Sequence, residues 1–220
     1  MPVFSSRIQR GKYDPVDEAK KILLKRRMKV MISFTVDPYP PYEEQERVTR
    51  RVLEVLRFSN HTVMILTKNP GLAYRLDLDL IKMFRSRIMV GSTIISLEKT
   101  PLEPKAPPPE ERIEALRKFK QSGVRTWISM EPIIPGVTDV VKIIKATLNF
   151  CDFYVLGAYN YHAQLRKHTG IVVTDAELRS FYQNTVPYAL QLLKKANKKF
   201  FVKKELRKYL VNNHADHRSL

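Results

Sequence analysis

A chain of 220 residues, 44% hydrophobic and 28% charged, has the material for one α/β domain with a packed core. Its 39 basic against 22 acidic residues leave +17, a field that favours polyanions or anionic surfaces, with solubilising or heat-adaptive charge as the plainer reading. One cysteine excludes a disulfide framework and a Cys-rich metal site, and seven glycines form no G-x-G-x-x-G or Walker-type loop.

No apolar run reaches the length of a membrane span, and the opening MPVFSSRIQRGKYDP lacks the apolar stretch of a signal peptide. A cytoplasmic protein with no membrane partner is the expectation.

Apolar runs of strand length alternate with segments of helical period. Asp14–Arg27 is expected as a helix, with Asp-Pro as cap and first-turn residue. A strand over Lys29–Thr35 follows, then a helix over Glu43–Phe58 and a strand over Thr62–Thr67. The pattern continues with helix Asp77–Arg85, strand Ile88–Ser96, helix Pro109–Ser122 and strand Val124–Met130. Helix Thr138–Asn149, strand Phe153–Gly157, the long helix Asp175–Ala196 with Pro187 inside it, and strand Lys199–Val202 complete the series. VMISF, TVMIL and FYVLG are continuous apolar runs, as buried parallel strands are. Cys151, at the start of the FYVLG strand, reads as a small buried core residue.

This order divides the chain into a basic N-terminal segment with a helix (1–28), a repeated βα region (29–210) and a disordered tail (211–220). A partial barrel and a doubly wound sheet both fit, and the pattern alone does not choose between them. In either, the working face lies at the carboxyl ends of the strands. Those ends carry Ser33, Thr35 and Asp37; Thr67, Lys68 and Asn69; Ser92, Thr93 and Ser96; Ser129 and Glu131; Tyr159, Asn160 and His162; and Lys203 and Lys204. A lysine just past a buried strand can hold a carboxylate or phosphate, while Asp37 and Glu131 can take an ammonium or hydroxyls. Each also has an ordinary reading: Asp37 before Pro38 as a turn residue, Lys68 before Asn69-Pro70-Gly71 as a solvated turn lysine.

The series FTVDPYPPYEEQERVTRRVLEVL, VMILTKN, VGSTIISL, LEPKAPPPEERIEALRKFKQSGV and EPIIPGVTD resembles the radical S-adenosylmethionine (SAM) proteins related to spore photoproduct lyase. The likeness covers about Met31 to Asn160, five motifs in the family's order. It implies a partial (β/α) TIM-like barrel, entered at the family's second strand, whose strand ends bind SAM beside a [4Fe–4S] cluster. By that resemblance Lys68 and Ser92 contact SAM, Thr35, Asp37, Pro38 and Tyr39 match the turn after the first strand present, Thr67 belongs to the TK motif, and Glu131 lies along the SAM face. Asn69 stands where the family commonly has Ser.

The departure is the cluster loop. The family uses C-x-x-x-C-x-x-C after its first strand, and this chain has neither that loop nor an obvious strand before it. Cys151 is alone and on another strand, and His61, His162, His168, His214 and His217 have no metal-ligand spacing beyond the last pair. Truncation, a second chain supplying the missing strand and cysteines, and degeneration to a binding role are the readings left open. Loss of the first strand predicts an open edge at Lys29–Thr35, capped by the N-terminal helix or by self-association.

Basic residues concentrate in 1–29 and from Lys194 to Lys208. The second stretch holds Lys194, Lys195, Lys198, Lys199, Lys203, Lys204 and Arg207 with Phe200, Phe201 and Tyr209 interleaved, a pattern that serves phosphate contact and base stacking, or simply flanks a buried FFV strand. Three functions follow as expectations. The chain is part of a radical SAM enzyme acting on nucleic acid, a non-catalytic nucleic-acid-binding relative, or a barrel hydrolase using Asp37 and Glu131 as acid and base.

Overall fold

The computed structural model describes residues 14–32, 36–159 and 172–210. The elements are α1 (Pro15–Ile22), β1 (Lys29–Ile32), α2 (Glu43–Glu46), α3 (Val48–Leu56), β2 (Thr62–Leu66), α4 (Pro70–Met83), β3 (Ile88–Thr93), α5 (Pro109–Gln121), β4 (Arg125–Ile133), α6 (Val140–Thr147), β5 (Phe153–Ala158), α7 (Asp175–Lys195), β6 (Lys199–Val202) and α8 (Lys204–Arg207), with a 3-10 turn at Arg85–Arg87. The sheet runs β1-β2-β3-β4-β5-β6. Pairing is parallel and in register from Lys29↔Thr62, Val63↔Ile88, Trp127↔Phe153 and Phe153↔Lys199 onward. A doubly wound sheet reverses its strand order at a switch point, and this one never does. The topology is that of a partial (β/α) barrel.

Most differences from the expected elements have a local cause. The helix expected over Glu43–Phe58 breaks at Arg47, whose φ of +50° lies in the left-handed region. The Glu43 carboxylate turns back to accept from Thr49 N at 2.5 Å, and Thr49 Oγ1 donates to Pro38 O at 2.6 Å. These ties stop one helix and start the next. Asn69-Pro70-Gly71, readable as a turn, is a helix start: Asn69 Oδ1 accepts from Leu72 N and Pro70 occupies the first turn, so α4 begins seven residues before the expected Asp77. β4 continues past Met130 to Ile133 through an irregularity in its pairing with β5. The short α8 has no counterpart among the expected elements. Ser33–Thr35 and the tail 211–220 lie outside the described residues.

The chain divides into two compact units, 1–92 with 111–126 and 93–110 with 127–220. In the first, Val63 and Ile65 of β2 and Ile88 and Val90 of β3 are fully buried with Leu53 of α3 and Ile81 of α4. β1 stands at the sheet edge, with Lys29 exposed and Val30, Met31 and Ile32 half-buried. α1 packs against α3 in the helical layer.

The second unit is built on Trp127, which meets Phe153 at 6.3 Å between ring centroids, and on Ile143, Ile144, Leu156 and Tyr182. Cys151 is buried there, its thiol donating to Phe153 O at 3.2 Å, and burial pushes its pKa up to about 12. A thiol that is neither ionised nor reachable is inert. Native protein at about pH 8 is expected to leave a chromogenic disulfide reagent unreacted for hours, and urea-unfolded protein to release one equivalent of thiolate at once. Fast native reaction would show that this part of the core opens.

Candidate functional site

In the first unit the carboxyl end of β2 is clamped by one carboxylate. Asp37, buried just past β1, accepts from Tyr39 N at 2.9 Å and Thr67 Oγ1 at 2.5 Å through Oδ1, and from Lys68 N at 2.6 Å through Oδ2. Thr67 Oγ1 in turn accepts from Asn69 N at 2.9 Å, and Ser92 Oγ donates to Thr67 O at 2.7 Å. Burial raises the Asp37 pKa, while the Thr67, Lys68 and Tyr39 hydrogen bonds and the Lys68 charge oppose it. The structure thus brings Asp37, Thr67, Lys68 and Ser92 together around one strand end. Lys68 is only 6% exposed. Thr35 lies outside the described residues.

Behind this clamp stands a network that the residue pattern did not reveal. The Tyr39 hydroxyl, fully buried, donates to Asp77 Oδ2 at 3.0 Å, and Arg50 donates to Asp77 Oδ1 at 3.1 Å and to both oxygens of Asp79. Burial raises the pKa of Asp77, against the hydrogen bonds from Arg50 and Tyr39, and raises that of Tyr39 well above its ordinary value, with Asp77 adding to it. Asn69 Nδ2 also donates to Tyr39 O at 3.2 Å. The Asp-Pro-Tyr turn is therefore held on α4 through its tyrosine and on β2 through its aspartate. The only signal in the sequence was Tyr39 itself, whose hydroxyl needs a partner once buried.

The second unit has its own strand-end pair. Lys203 Nζ lies 2.7 Å from Glu131 Oε1 and 2.6 Å from Oε2, with both side chains about one-third exposed. Lys203 N donates to Leu156 O at 2.9 Å, which fixes the lysine beside β5. Gly157 of β5 makes room, since a Cβ there would sit 2.8 Å from Glu131 Cγ. The Tyr182 hydroxyl of α7 donates to Ile133 O at 2.8 Å and accepts from Tyr159 N at 2.9 Å, tying the same strand ends to the helix. The glycine ending FYVLG was the available signal of close approach.

The C-terminal bases are put to several uses. Lys203 holds Glu131, and Lys198 Nζ donates to Cys151 O at 2.8 Å. Lys195, Lys199 and Lys204 are exposed, Lys194 is half-buried, and the Arg207 guanidinium lies 5.9 Å from the centroid of the Phe201 ring. Along β6, Lys199 and Phe201 face solvent while Phe200 and Val202 are buried. Among the described residues no group of three His, Cys, Asp or Glu side chains could hold a metal ion.

No family model matches the chain. It is similar to the uncharacterized protein MJ0683 of Methanocaldococcus jannaschii, 37% identical over 138 residues, which are 61% of this chain and 52% of that protein. It is also similar to the uncharacterized protein ORF301 of Acidianus two-tailed virus, 33% identical over 126 residues, 54% of this chain and 40% of that one. The chain thus spans about half the length, or less, of the curated relatives it matches. Among solved structures it is similar to Streptococcus suis SuiB bound to SAM, with a TM-score of 0.64 at 13% identity over 94% of this chain and 48% of that one. SuiB bound to its precursor peptide SuiA gives 0.61 at 13% identity over 96% of this chain and 48% of SuiB. At that identity the likeness concerns the fold alone, a partial (β/α) barrel.

Proposed function

We propose that this chain is a SAM-binding barrel of the spore photoproduct lyase kind, with nucleic acid as the substrate class and a cytoplasmic location. The observation that carries the reading is the clamp at the end of β2. Asp37 anchors the backbone of a lysine that is only 6% exposed, and a lysine at a strand end is a residue suited to take a carboxylate. SuiB, of similar fold, is known bound to SAM.

The donor set fits SAM in part. Lys68 would take the carboxylate of its methionine moiety, and Ser92, which spends its proton on Thr67 O, keeps lone pairs for the ammonium. Asp37 and Thr67 are occupied with each other and act by positioning Lys68. Glu131 belongs to the other unit, where Lys203 holds it, and its part in cofactor binding rests on the family resemblance.

The residues do not fit a [4Fe–4S] cluster. Such a cluster needs several thiolates, and the one cysteine of this chain is buried, un-ionised and bonded to Phe153 O. A second chain supplying the missing strand and cysteines would restore that ligand set. The missing ligands equally favour a second reading, a non-catalytic nucleic-acid-binding relative.

Calorimetric titration of SAM into the purified chain separates these. Micromolar binding is expected, weakened about tenfold or more by Lys68→Ala, a loss of about 1.4 kcal/mol or more. Binding unaffected by Lys68→Ala would remove the lysine from the site. No binding by the wild type would leave the nucleic-acid-binding reading, to be tested with labelled oligonucleotides against Lys195→Gln, Lys199→Gln and Lys204→Gln.

A further inference from the structure

At the amino ends of β1, β2 and β3, the end opposite Lys68 and Ser92, the first unit presents a surface that the proposed function does not use. Three stretches meet there: LKRRMK (24–29), RFSN (57–60) and KMFRSR (82–87), which together contain eight Lys or Arg and no Asp or Glu. Four large apolar side chains stand out from them, Leu24 at 95% exposure, Phe58 at 72%, Met83 at 57% and Met28 at 39%.

The stretches are fastened to one another. His61 Nδ1 accepts from Met28 N at 3.3 Å, so this nitrogen carries no proton, and Nε2 donates to Ile22 O at 2.7 Å. One buried imidazole thereby closes both ends of the loop that carries Leu24, Lys25, Arg26 and Arg27. Arg87 donates to Ser59 O, His61 O and Arg57 O, and Arg57 reaches Met83 Sδ at 3.5 Å while its guanidinium lies 4.3 Å from the centroid of the Phe58 ring. The acids on the adjoining helices are engaged elsewhere: Asp17 and Glu18 with Lys20 and Lys21, Glu54 and Asp79 with Arg50.

The geometry points to peripheral docking of this end on an anionic lipid bilayer, with Leu24, Phe58, Met83 and Met28 entering the headgroup region and the surrounding bases meeting lipid phosphate. Apolar side chains within an acid-free basic rim are the composition of an interfacial surface. Large apolar side chains exposed at one end of a unit and set among bases suit an interaction site better than ordinary surface. A nucleic acid would use the bases but offers little to Leu24, Met28 and Met83, and one face of the Phe58 ring is already covered by Arg57. No helix among the described residues is long and apolar enough to cross a membrane, and docking of this kind needs none.

The test is co-sedimentation of the full chain with phosphatidylcholine vesicles, with and without about 30% phosphatidylserine. The wild type is expected to bind the anionic vesicles at least about tenfold more tightly than the neutral ones. The double variant Leu24→Ser/Phe58→Ser, altered only at exposed side chains, is expected to lose about tenfold. Lys25→Gln/Arg26→Gln/Arg27→Gln should lose at least as much, and Lys195→Gln/Lys199→Gln/Lys204→Gln, which removes equal charge elsewhere, should lose little. Absence of binding to anionic vesicles overturns the inference. So does equal binding by the Leu24→Ser/Phe58→Ser variant, which would mean adsorption by charge alone. Retention of a short single-stranded oligonucleotide, lost in Phe58→Ser while vesicles are ignored, would assign the surface to nucleic acid instead.

Discussion

Asp37→Ala is expected to lower stability by about 3 kcal/mol and to abolish measurable SAM binding. Removal of the carboxylate strands Lys68 N–H and Tyr39 N–H in a buried place, and each such donor costs about 1–3 kcal/mol when left without a partner. Thr67 Oγ1 can rotate to another acceptor, so it adds little. Asparagine is no rescue. Placed with its oxygen toward Tyr39 N and Thr67 Oγ1, it aims an NH2 at Lys68 N–H; flipped, it aims the NH2 at Tyr39 N–H. Urea unfolding measures the loss, and a change below about 1 kcal/mol would mean that water takes over the anchoring.

The pH dependence of this loss has a definite sign. Burial raises the folded-state pKa of Asp37. A carboxyl raised on folding contributes most below its unfolded pKa of about 3.9, and that contribution fades as pH rises through the folded value. The cost of Asp37→Ala is therefore expected to be larger in acid than at neutral pH. The opposite slope would show that the hydrogen bonds from Thr67, Lys68 and Tyr39 outweigh burial.

Gly157→Ala is expected to cost about 2 kcal/mol and to disrupt the Glu131–Lys203 pair. The added Cβ would lie 2.8 Å from Glu131 Cγ, 2.9 Å from Cδ and 3.1 Å from Cβ. A rotamer change can move Cγ and Cδ, but Cβ is fixed to the backbone of β4, so strand or side chain must yield. The side chain that yields is the one Lys203 grips at 2.6 and 2.7 Å. A cycle with Lys203→Met separates the two losses. If the pair is what the methyl group breaks, Gly157→Ala costs less in the Lys203→Met background. Equal costs in both would place the whole effect in backbone strain.

The strands were legible because their residues carry the signal themselves. TVMIL and FYVLG are apolar enough to be buried on both faces, KFFV alternates between an exposed and a buried face, and all three pair as parallel strands. Lys68 and Asp37 could be singled out for the same reason, as polar residues just past such runs. What eluded inspection lies in pairs far apart in sequence. Nothing near Glu131 names Lys203 as its partner 72 residues on, and nothing near Tyr39 names Asp77. Arg47 offers no local reason to leave the helix; Glu43 supplies it by reaching Thr49.

Periodicity and strand-end polarity thus determined the βα class and the residues around the end of β2, since both are local consequences of side-chain type. Tertiary structure alone decided the order of the strands, the use of Asp37 as an anchor, the pairing of Lys203 with Glu131 and the assembly of the apolar, basic end of the first unit. Each of these depends on which distant backbone groups need a partner once water has been excluded, and that need arises only when the chain has folded.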